Sequence, residues 1–339
     1  MKLKLRKAPV KVILVLICVI ALLIVIVSLL LSWEQRHYYF ESDDEDYWTQ
    51  YSEDSGLDEV YYDGAWYAQK PDIETVLCIG VDKNEGDNSQ VGYMNTQQCD
   101  FLLAVILDNR NKTYTALQIN RDTITEIPTI GEGGDVMLST ETGQIALAHT
   151  YGTGGKDSCE LTVEAVSNLL TGIKIDHYIS VTMEAVPIIN DAVGGVTLTV
   201  AEDYPNVGLV KGETVTLLGD KALAYVRGRM TVGDGSNLGR MERQRQYMSA
   251  LKDAYTEKLA SDPTLALNAI TSISEYMISD CSIYDLSDLV NVTNEYTFEG
   301  FKTLEGEAVQ GEQFMEFHAD KEALEKLVFD IYYQKKEEE

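Results

Sequence analysis

The chain has 339 residues, a formal net charge of −28 at pH 7 and a sequence pI of about 4.4. So acidic a protein has no basic face with which to hold nucleic acid, which argues against a DNA-binding role. Its five cysteines show no CxxC spacing and its four histidines form no ligand pair by spacing, so a metal cluster is not predicted.

A membrane anchor is predicted at the amino terminus. Five of the first eleven residues are Lys or Arg, and an apolar run follows at residues 12–31. About 20 residues at a rise of about 1.5 Å each cross the hydrocarbon core of a bilayer, and Trp33 is placed as an interfacial anchor. Since the basic side of an anchor stays in the cytoplasm, we expect one N-terminal transmembrane helix with the remaining chain outside the membrane.

An acidic stretch follows this predicted anchor. Residues 34–59 contain ten acids against one arginine, which favours a solvated acidic linker over a specific docking segment. Residues 60–67 (VYYDGAWY) then predict a hairpin that turns at Asp63 and Gly64. We therefore expect a cytoplasmic tail and anchor at 1–33, the linker at 34–59, a main domain at 60–260 and a helical extension at 261–339.

Three apolar runs predict the strands that begin the main domain. They cover residues 76–81, 101–107 and 113–120. Asp82 follows the first run, Asp100 precedes the second and Arg121 follows the third. If the strands form an antiparallel meander, these three residues share one edge, where two carboxylates and a guanidinium suit a divalent metal and a phosphate. Taken singly, each position is more typical of an ordinary turn residue.

Helices and strands alternate further along the chain. Helices are predicted at 144–151, 160–170 and 184–193, and strands at 177–181 and 196–200. From residue 262 the pattern is helical. A strand-like segment follows around 301–304, and a last helix is predicted at 320–333. This alternation predicts an α/β fold, an α-β-α sandwich with helices on both faces of a central mixed sheet.

Residues 223–246 hold five of the nine arginines of the chain. They are Arg227, Arg229, Arg240, Arg243 and Arg245. Arg227 and Arg229 are two apart and point the same way if the segment is extended. The spacing of Arg240, Arg243 and Gln244 places them on one face of a helix that we expect to begin after Gly239. Arg245 lies about 140° around that helix from Arg240, so we leave it out of the predicted site.

Such an arginine cluster suits a phosphate or pyrophosphate. Guanidiniums bind phosphate oxygens in pairs, and the helix N-terminus, capped by Ser236 or Asn237, adds backbone N–H donors. The alternative is a set of surface salt bridges to the abundant acids.

Several motifs together resemble one family. In chain order they are LCIGVD, CDFLLAVIL, LQINRDT, QIALAHTYG, IDHYISV, DAVGGVTLTV and ALAYVRGR followed by DGSNLGRMERQRQYM. Over about residues 75–258 the chain resembles LytR-CpsA-Psr proteins. The resemblance implies an extracytoplasmic phosphotransferase, anchored in the bacterial cell membrane. It would move a glycopolymer (teichoic acid, capsule or a related wall glycan) from a polyprenyl-pyrophosphate carrier to peptidoglycan, usually to the muramic acid 6-hydroxyl.

The resemblance also implies roles for individual residues. Asp82 and Asp100 would hold Mg²⁺ (or Mn²⁺), and an apolar tunnel between sheet and helices would hold the prenyl tail. The pyrophosphate would be bound by Arg121, Arg227, Arg229, Arg240 and Arg243, with Gln244 assisting. We take Arg121, Arg229 and Asp122 as the catalytic candidates. Asp122 either accepts the proton of the incoming sugar hydroxyl or is a structural acid that orients Arg121.

The chain departs from the family pattern at two places. Many members have an Arg-Ser pair before the second aspartate, where this chain has Gln98 and Cys99. The usual Lys-x-Asn is replaced by Gln144, Ile145 and Ala146. These changes affect the expected acceptor side or its affinity. A non-catalytic envelope protein that binds lipid-linked pyrophosphate therefore stays open as an alternative. A pyrophosphate hydrolase also stays open, because the same metal and arginines would serve either reaction.

Overall fold

The structure, a computed structural model, describes residues 59–62, 64–82, 95–130 and 137–336. The predicted membrane anchor and almost all of the acidic linker lie outside these residues, as does Asp63 of the predicted turn. Within the described part of the chain, no helix has both the length and the apolar composition that a membrane crossing requires.

The chain divides into two compact units. One consists of Met1–Ala68 with Lys336–Glu339, and the other of Gln69–Lys335. The first unit contains the predicted hairpin, in which β1 (Glu59–Tyr62) pairs antiparallel with β2 (Ala65–Gln69).

A six-stranded mixed sheet forms the centre of the second unit. Its strands are β3 (Ile73–Val81), β4 (Cys99–Asp108), β5 (Thr113–Ile119), β8 (His177–Thr182), β11 (Met277–Ser279) and β12 (Thr297–Thr303). Their order is β11-β8-β3-β4-β5-β12. The antiparallel β3-β4-β5 meander is the predicted one, and β8 and β12 join it parallel to β3 and β5. The central mixed sheet is thereby confirmed.

The described residues also form three two-stranded ribbons. They are β6 (Ile124–Ile130) with β7 (Met137–Gln144), β9 (Val196–Thr199) with β10 (Thr214–Leu217), and β13 (Gly306–Gln310) with β14 (Met315–Ala319). Only β9 was predicted. Every residue of β13 is exposed, so its sequence carries no alternation of buried and exposed side chains from which a strand could be predicted.

Seven α-helices lie among the described residues. They are α1 (Lys156–Leu169), α2 (Ala185–Ala192), α3 (Asp220–Arg227), α4 (Asn237–Leu259), α5 (Leu265–Ser272), α6 (Ile283–Glu295) and α7 (Lys321–Tyr332). A short strand, β15 (Tyr333–Lys335), follows α7. The segment after residue 261 therefore contains the expected helices together with strands, of which β11 and β12 complete the central sheet.

The structure refines one local prediction and corrects two others. Residues Ile145–Tyr151 form a 3₁₀ helix, whose first N–H groups donate to the carbonyls of Thr123 and Arg121. Arg227 is the last residue of α3 and does not lie on an extended segment. Gly239 lies inside the first turn of α4, where its N–H donates to the side chain of Ser236, which caps the helix.

The main hydrophobic core lies on one face of the sheet. Alternate residues of β4, Leu102, Ala104 and Ile106, pack there with α1 and α7. The intervening residues Leu103 and Val105 face α4, α5 and α6 on the other side. Helices thus cover both faces, as the predicted sandwich requires.

Candidate active site

Asp100 projects from a β-bulge at one edge of the sheet. Gly80 pairs with Phe101 and Val81 pairs with Cys99, which leaves Asp100 as the extra residue. A Cβ on Gly80 would lie 2.9 Å from the Cβ of Phe101, so this close approach requires glycine. The bulge places Asp100 beside the end of β3, where Asp82 follows. The predicted juxtaposition of the two carboxylates with Arg121 at one edge is therefore present.

Asp100 lies between two arginines. One oxygen forms an ion pair with Arg121, and the other lies 3.4 Å from Nη1 of Arg240. Arg240 is 4 % exposed, and its Nε and Nη2 both donate to Oδ1 of Asn237, at 3.0 and 2.6 Å. Burial, together with the charges of Arg121 and Arg229, lowers the pKa of Arg240 to about 10. Arg240 is thus a positioned, largely desolvated cation.

The two residues that depart from the family pattern before Asp100 have separate surroundings. Gln98 accepts a hydrogen bond of 2.5 Å from Nη2 of Arg121. Cys99 is fully buried, and its thiol donates to the carbonyls of Ile145 and Ala146 at 3.5 and 3.4 Å. Burial raises the pKa of Cys99 to about 12, so the thiol stays neutral at physiological pH. Gln98 therefore contacts the arginine cluster directly, whereas Cys99 belongs to the core.

Asp122 is buried among donors. Its Oδ1 lies 3.4 Å from Nε of Arg121 and accepts a 3.2 Å hydrogen bond from Gln144. Its Oδ2 lies 3.6 Å from Nη2 of Arg229. Burial lowers the pKa of Arg121, and Asp122 opposes this shift. The carboxylate thus holds two arginines side by side.

Two asparagines, whose contact with each other the sequence did not predict, support this arrangement. Oδ1 of Asn120 accepts hydrogen bonds from the backbone N–H of Asp122 at 2.9 Å and from Nδ2 of Asn237 at 2.7 Å. Both asparagines are buried. They join the end of β5 to the first residue of α4, the element that carries Arg240. Asn120 lies within the LQINRDT motif, directly before Arg121 and Asp122, and this motif was the signal available in the sequence.

The remaining predicted residues form the other side of the cluster. Arg227 donates to both oxygens of Asp82, at 2.9 and 2.8 Å. Arg243 donates to the carbonyl of Gly228 at 2.7 Å. The Gln244 amide donates to the carbonyl of Val226 at 3.1 Å and accepts from a neighbouring glutamine side chain at 3.0 Å. Both ends of Gln244 are therefore engaged by the protein, and its contacts hold α3 against α4.

Arg245 turns away from the cluster and donates to Oε1 of Gln118 at 2.8 Å.

The cluster presents unused donors. Among the described residues, the buried Nε atoms of Arg229 and Arg243 have no hydrogen-bond acceptor, and that of Arg121 has only the 3.4 Å ion pair with Asp122. The five predicted arginines accompany three carboxylates, those of Asp82, Asp100 and Asp122, so the site has a local net charge of +2 in a chain of −28. Buried donors without acceptors together with excess positive charge suit an anion with several oxygens.

The carboxylates at the sheet edge fit a hard divalent cation by their chemistry. Mg²⁺ takes oxygen ligands and commonly uses one or two carboxylates, with waters and substrate phosphate completing its shell. Asp82 and Asp100 supply two such carboxylates at adjacent strand ends.

An apolar cavity of about 350 Å³ opens between the sheet and helices α2, α4, α5 and α6. From the sheet it is lined by residues such as Leu103 and Ala116, and from the helices by residues such as Met248, Leu251 and Ala269. An apolar tunnel between sheet and helices was expected at this position.

Residues 39–332 match the LytR_cpsA_psr family. The chain belongs to this family. A relative from Bacillus licheniformis, named "polyisoprenyl-teichoic acid–peptidoglycan teichoic acid transferase TagU", is 34 % identical to this chain over 179 residues. The matched residues are 52 % of this chain and 50 % of the relative. The Bacillus subtilis relative of that name is 33 % identical over 184 residues, 54 % of this chain and 52 % of the relative. The chain thus matches about half the length of these two relatives.

Solved structures confirm the LytR-CpsA-Psr fold. Bacillus subtilis TagV has a TM-score of 0.58 and 26 % identity, over 76 % of this chain and 95 % of its own. A structure titled "TagT bound to LI-WTA" has a TM-score of 0.58 and 21 % identity, over 77 % of this chain and 90 % of its own, and shows likeness of fold alone.

Proposed function

We propose that this protein is a membrane-anchored, extracytoplasmic phosphotransferase of the bacterial envelope. It transfers a glycopolymer from a polyprenyl-pyrophosphate carrier to peptidoglycan, with a muramic acid hydroxyl as the acceptor. Teichoic acid is the glycopolymer that we favour, because the relatives from Bacillus licheniformis and Bacillus subtilis carry it in their names.

One observation carries the proposal. Helix α4 bears Arg240 and Arg243 in its first two turns, and its following turns, with Met248 and Leu251, line the apolar cavity. At a rise of about 1.5 Å per residue, Met248 lies only about 7–8 Å further along the helix than Arg243. The helix thus presents arginines first and an apolar surface next to them. A ligand with an anionic group at one end and a hydrocarbon chain beyond it matches this order, and a prenyl pyrophosphate is such a ligand.

The arginines would act on the pyrophosphate by position and charge. Phosphoryl transfer asks the protein chiefly to orient the reactants and to neutralise charge that develops in the transition state. Asp122 fixes the direction of Arg121 and Arg229, and the Nε of Arg229 has no hydrogen-bond acceptor in the described part of the protein. Both oxygens of Asp122 face these arginines, which favours the orienting role over that of a general base. Arg240 and Arg243 would hold the leaving prenyl phosphate.

Asp82 and Asp100 are the residues that would hold Mg²⁺. The ion would neutralise charge on the pyrophosphate oxygens.

The proposal is tested with the purified full-length protein in detergent. It is incubated with a prenyl-pyrophosphate-linked glycan, peptidoglycan fragments and Mg²⁺, and the products are followed by mass spectrometry. Glycan joined to the peptidoglycan fragment is expected, with loss of transfer in Arg229→Ala and Asp100→Ala. Arg110→Ala is the matched control, because Arg110 is exposed in the turn between β4 and β5 at the opposite edge of the sheet.

The same products separate the alternatives. Free glycan with prenyl phosphate would identify a hydrolase. Bound lipid with no turnover would identify a non-catalytic binding protein. Transfer that persists in Arg229→Ala would contradict the assignment of the site.

A further inference from the structure

Three side chains of different chemistry meet where the strands of the sheet end on the side opposite to the arginine cluster. His177 begins β8, whereas the other end of β8 pairs with β3 just before Asp82. Strand β11 pairs antiparallel with β8, with Ser279 opposite Ile179. The next two residues, Asp280 and Cys281, therefore come level with the start of β8. One ligand atom each from His177, Asp280 and Cys281 all lie within 4.8 Å of one another.

The separation of His177 and Asp280 suits two ligands of one metal ion. Nδ1 of His177 lies 3.3 Å from Oδ2 of Asp280. That is long for a hydrogen bond, whose usual length is about 2.9–3.0 Å. Two ligands that each lie about 2.0 Å from a tetrahedral metal ion are about 3.3 Å apart. The second oxygen of Asp280 accepts from the backbone N–H of Tyr178 at 3.0 Å, which directs Oδ2 toward the imidazole.

A carboxylate, that of Glu74, lies on the far side of His177, beyond direct hydrogen-bond distance. Nε2 of His177 lies 4.0 Å from Oε1 of Glu74, and the other oxygen of Glu74 accepts a 3.3 Å hydrogen bond from Asn109. A ligating imidazole commonly donates its second N–H to a carboxylate, which fixes the ring and its tautomer. Glu74 lies on the side of Nε2, and the 3.3 Å approach of Asp280 to Nδ1 points to Nδ1 as the ligating atom of His177.

We propose that His177, Asp280 and Cys281 form a binding site for a divalent transition metal, with Zn²⁺ as the ion that fits best. An imidazole nitrogen, a thiolate sulfur and a carboxylate oxygen are all zinc ligands, and a water completes four-coordination. Binding displaces the thiol proton to solvent. This donor set differs in kind from the two carboxylates at Asp82 and Asp100, since Mg²⁺ prefers oxygen alone.

The site lies where a short edge strand joins β8. β11 has only three residues and forms one edge of the sheet. Ser282, which caps α6, follows Cys281 directly. A metal ion bound here fastens β11 and the start of α6 to β8. The role is structural and does not depend on the proposed transferase activity.

Co²⁺ provides a direct probe, because a cobalt–thiolate bond absorbs in the near ultraviolet. Titration of the purified full-length protein with Co²⁺ is expected to give this absorption at one equivalent, and Zn²⁺ is expected to displace it. Cys281→Ser removes the band, and His177→Ala weakens binding about 10-fold or more. His318→Ala is the matched control, since His318 lies 2.9 Å from Glu316 in a second exposed His–carboxylate pair. The His318→Ala variant is expected to give the same Co²⁺ titration curve as the wild-type protein.

X-ray absorption at the zinc edge keeps the proposal testable if Cys281→Ser fails to fold. The zinc-loaded wild-type protein is expected to show one sulfur neighbour and about three nitrogen or oxygen neighbours. A shell without sulfur overturns the proposal, as does a cobalt–thiolate band that survives in folded Cys281→Ser. Absence of stoichiometric Co²⁺ binding by the wild-type protein overturns it as well.

Discussion

The side chain of Gln98 accepts a 2.5 Å hydrogen bond from Arg121, the arginine that also pairs with Asp100. Many family members have an arginine and a serine at the positions of Gln98 and Cys99. In this chain a neutral amide oxygen therefore takes up one donor of a guanidinium in the cluster. The departure leaves the five arginines of the predicted site in place, and Gln98 contacts one of them, Arg121.

Gln98→Ala is expected to slow glycan transfer without unfolding the protein. A hydrogen bond to a charged group contributes about 1.5–3 kcal/mol, which corresponds to a fall of roughly 10-fold to 100-fold in kcat/KM if all of it acts in the transition state. Steady-state kinetics with the lipid-linked donor measures the change. Gln97→Ala is the neighbouring control, and equal rates in both variants would show that Gln98 has no orienting role.

Asp122→Asn distinguishes an orienting carboxylate from a general base. The amide keeps one oxygen to face Arg121 but loses the charge that holds both arginines, so we expect a drop of about 10-fold in kcat with an unchanged pH profile. Loss of a general base typically costs about 10²–10⁴-fold. A drop of that size, with loss of the acidic limb of the pH–rate profile, would assign the proton transfer to Asp122.

Gly80→Ala is expected to disturb the bulge that presents Asp100. The new Cβ would meet the Cβ of Phe101 at 2.9 Å, and overpacking of this kind costs about 1–3 kcal/mol. Urea denaturation should show a lower midpoint, and transfer activity should fall with it. Gly143→Ala is the matched control, since its Cβ would meet only side-chain atoms, the nearest at 3.4 Å. Equal stability of the two variants would contradict the close approach at Gly80.

Proton uptake on ligand binding reports the charge state of Arg240. Its pKa is lowered to about 10, so in the ligand-free protein the cation is lost as the pH rises through about 10. A bound pyrophosphate raises this pKa again, so binding at pH 10, where Arg240 is about half protonated, should take up about half a proton per site that binding at pH 7 does not. Calorimetry in buffers of different ionisation enthalpy measures the uptake. Arg240→Gln should abolish it, and the same uptake in this variant would assign it elsewhere.

The sequence predicts the part of the site that depends on neighbouring strands. Apolar runs and one short turn are enough to place β3, β4 and β5 in a meander, and thus to bring Asp82, Asp100 and Arg121 to one edge. The spacing of Arg240 and Arg243 likewise predicts their common helix. These inferences succeed because local pattern and strand order determine them.

Other features depend on contacts between distant segments. The bulge at Asp100 arises from the pairing of Gly80 with Phe101, and hydrophobic alternation contains no sign of it. The cluster of His177 with Asp280 joins residues 103 positions apart through the register of β11, so spacing along the chain showed no ligand pair. The hydrogen bond between Asn120 and Asn237, 117 positions apart, was missed for the same reason.

The central claim is that one helix joins an anion site to a hydrocarbon cavity, and its most direct test is the binding of prenyl pyrophosphates of increasing chain length. We expect affinity to rise with chain length in the wild-type protein. Ala269→Trp, which fills the cavity, should remove this dependence while inorganic pyrophosphate still binds, and the exposed Ala260→Trp should behave as wild type. An affinity that does not depend on chain length, or that Ala269→Trp leaves unchanged, would contradict the account.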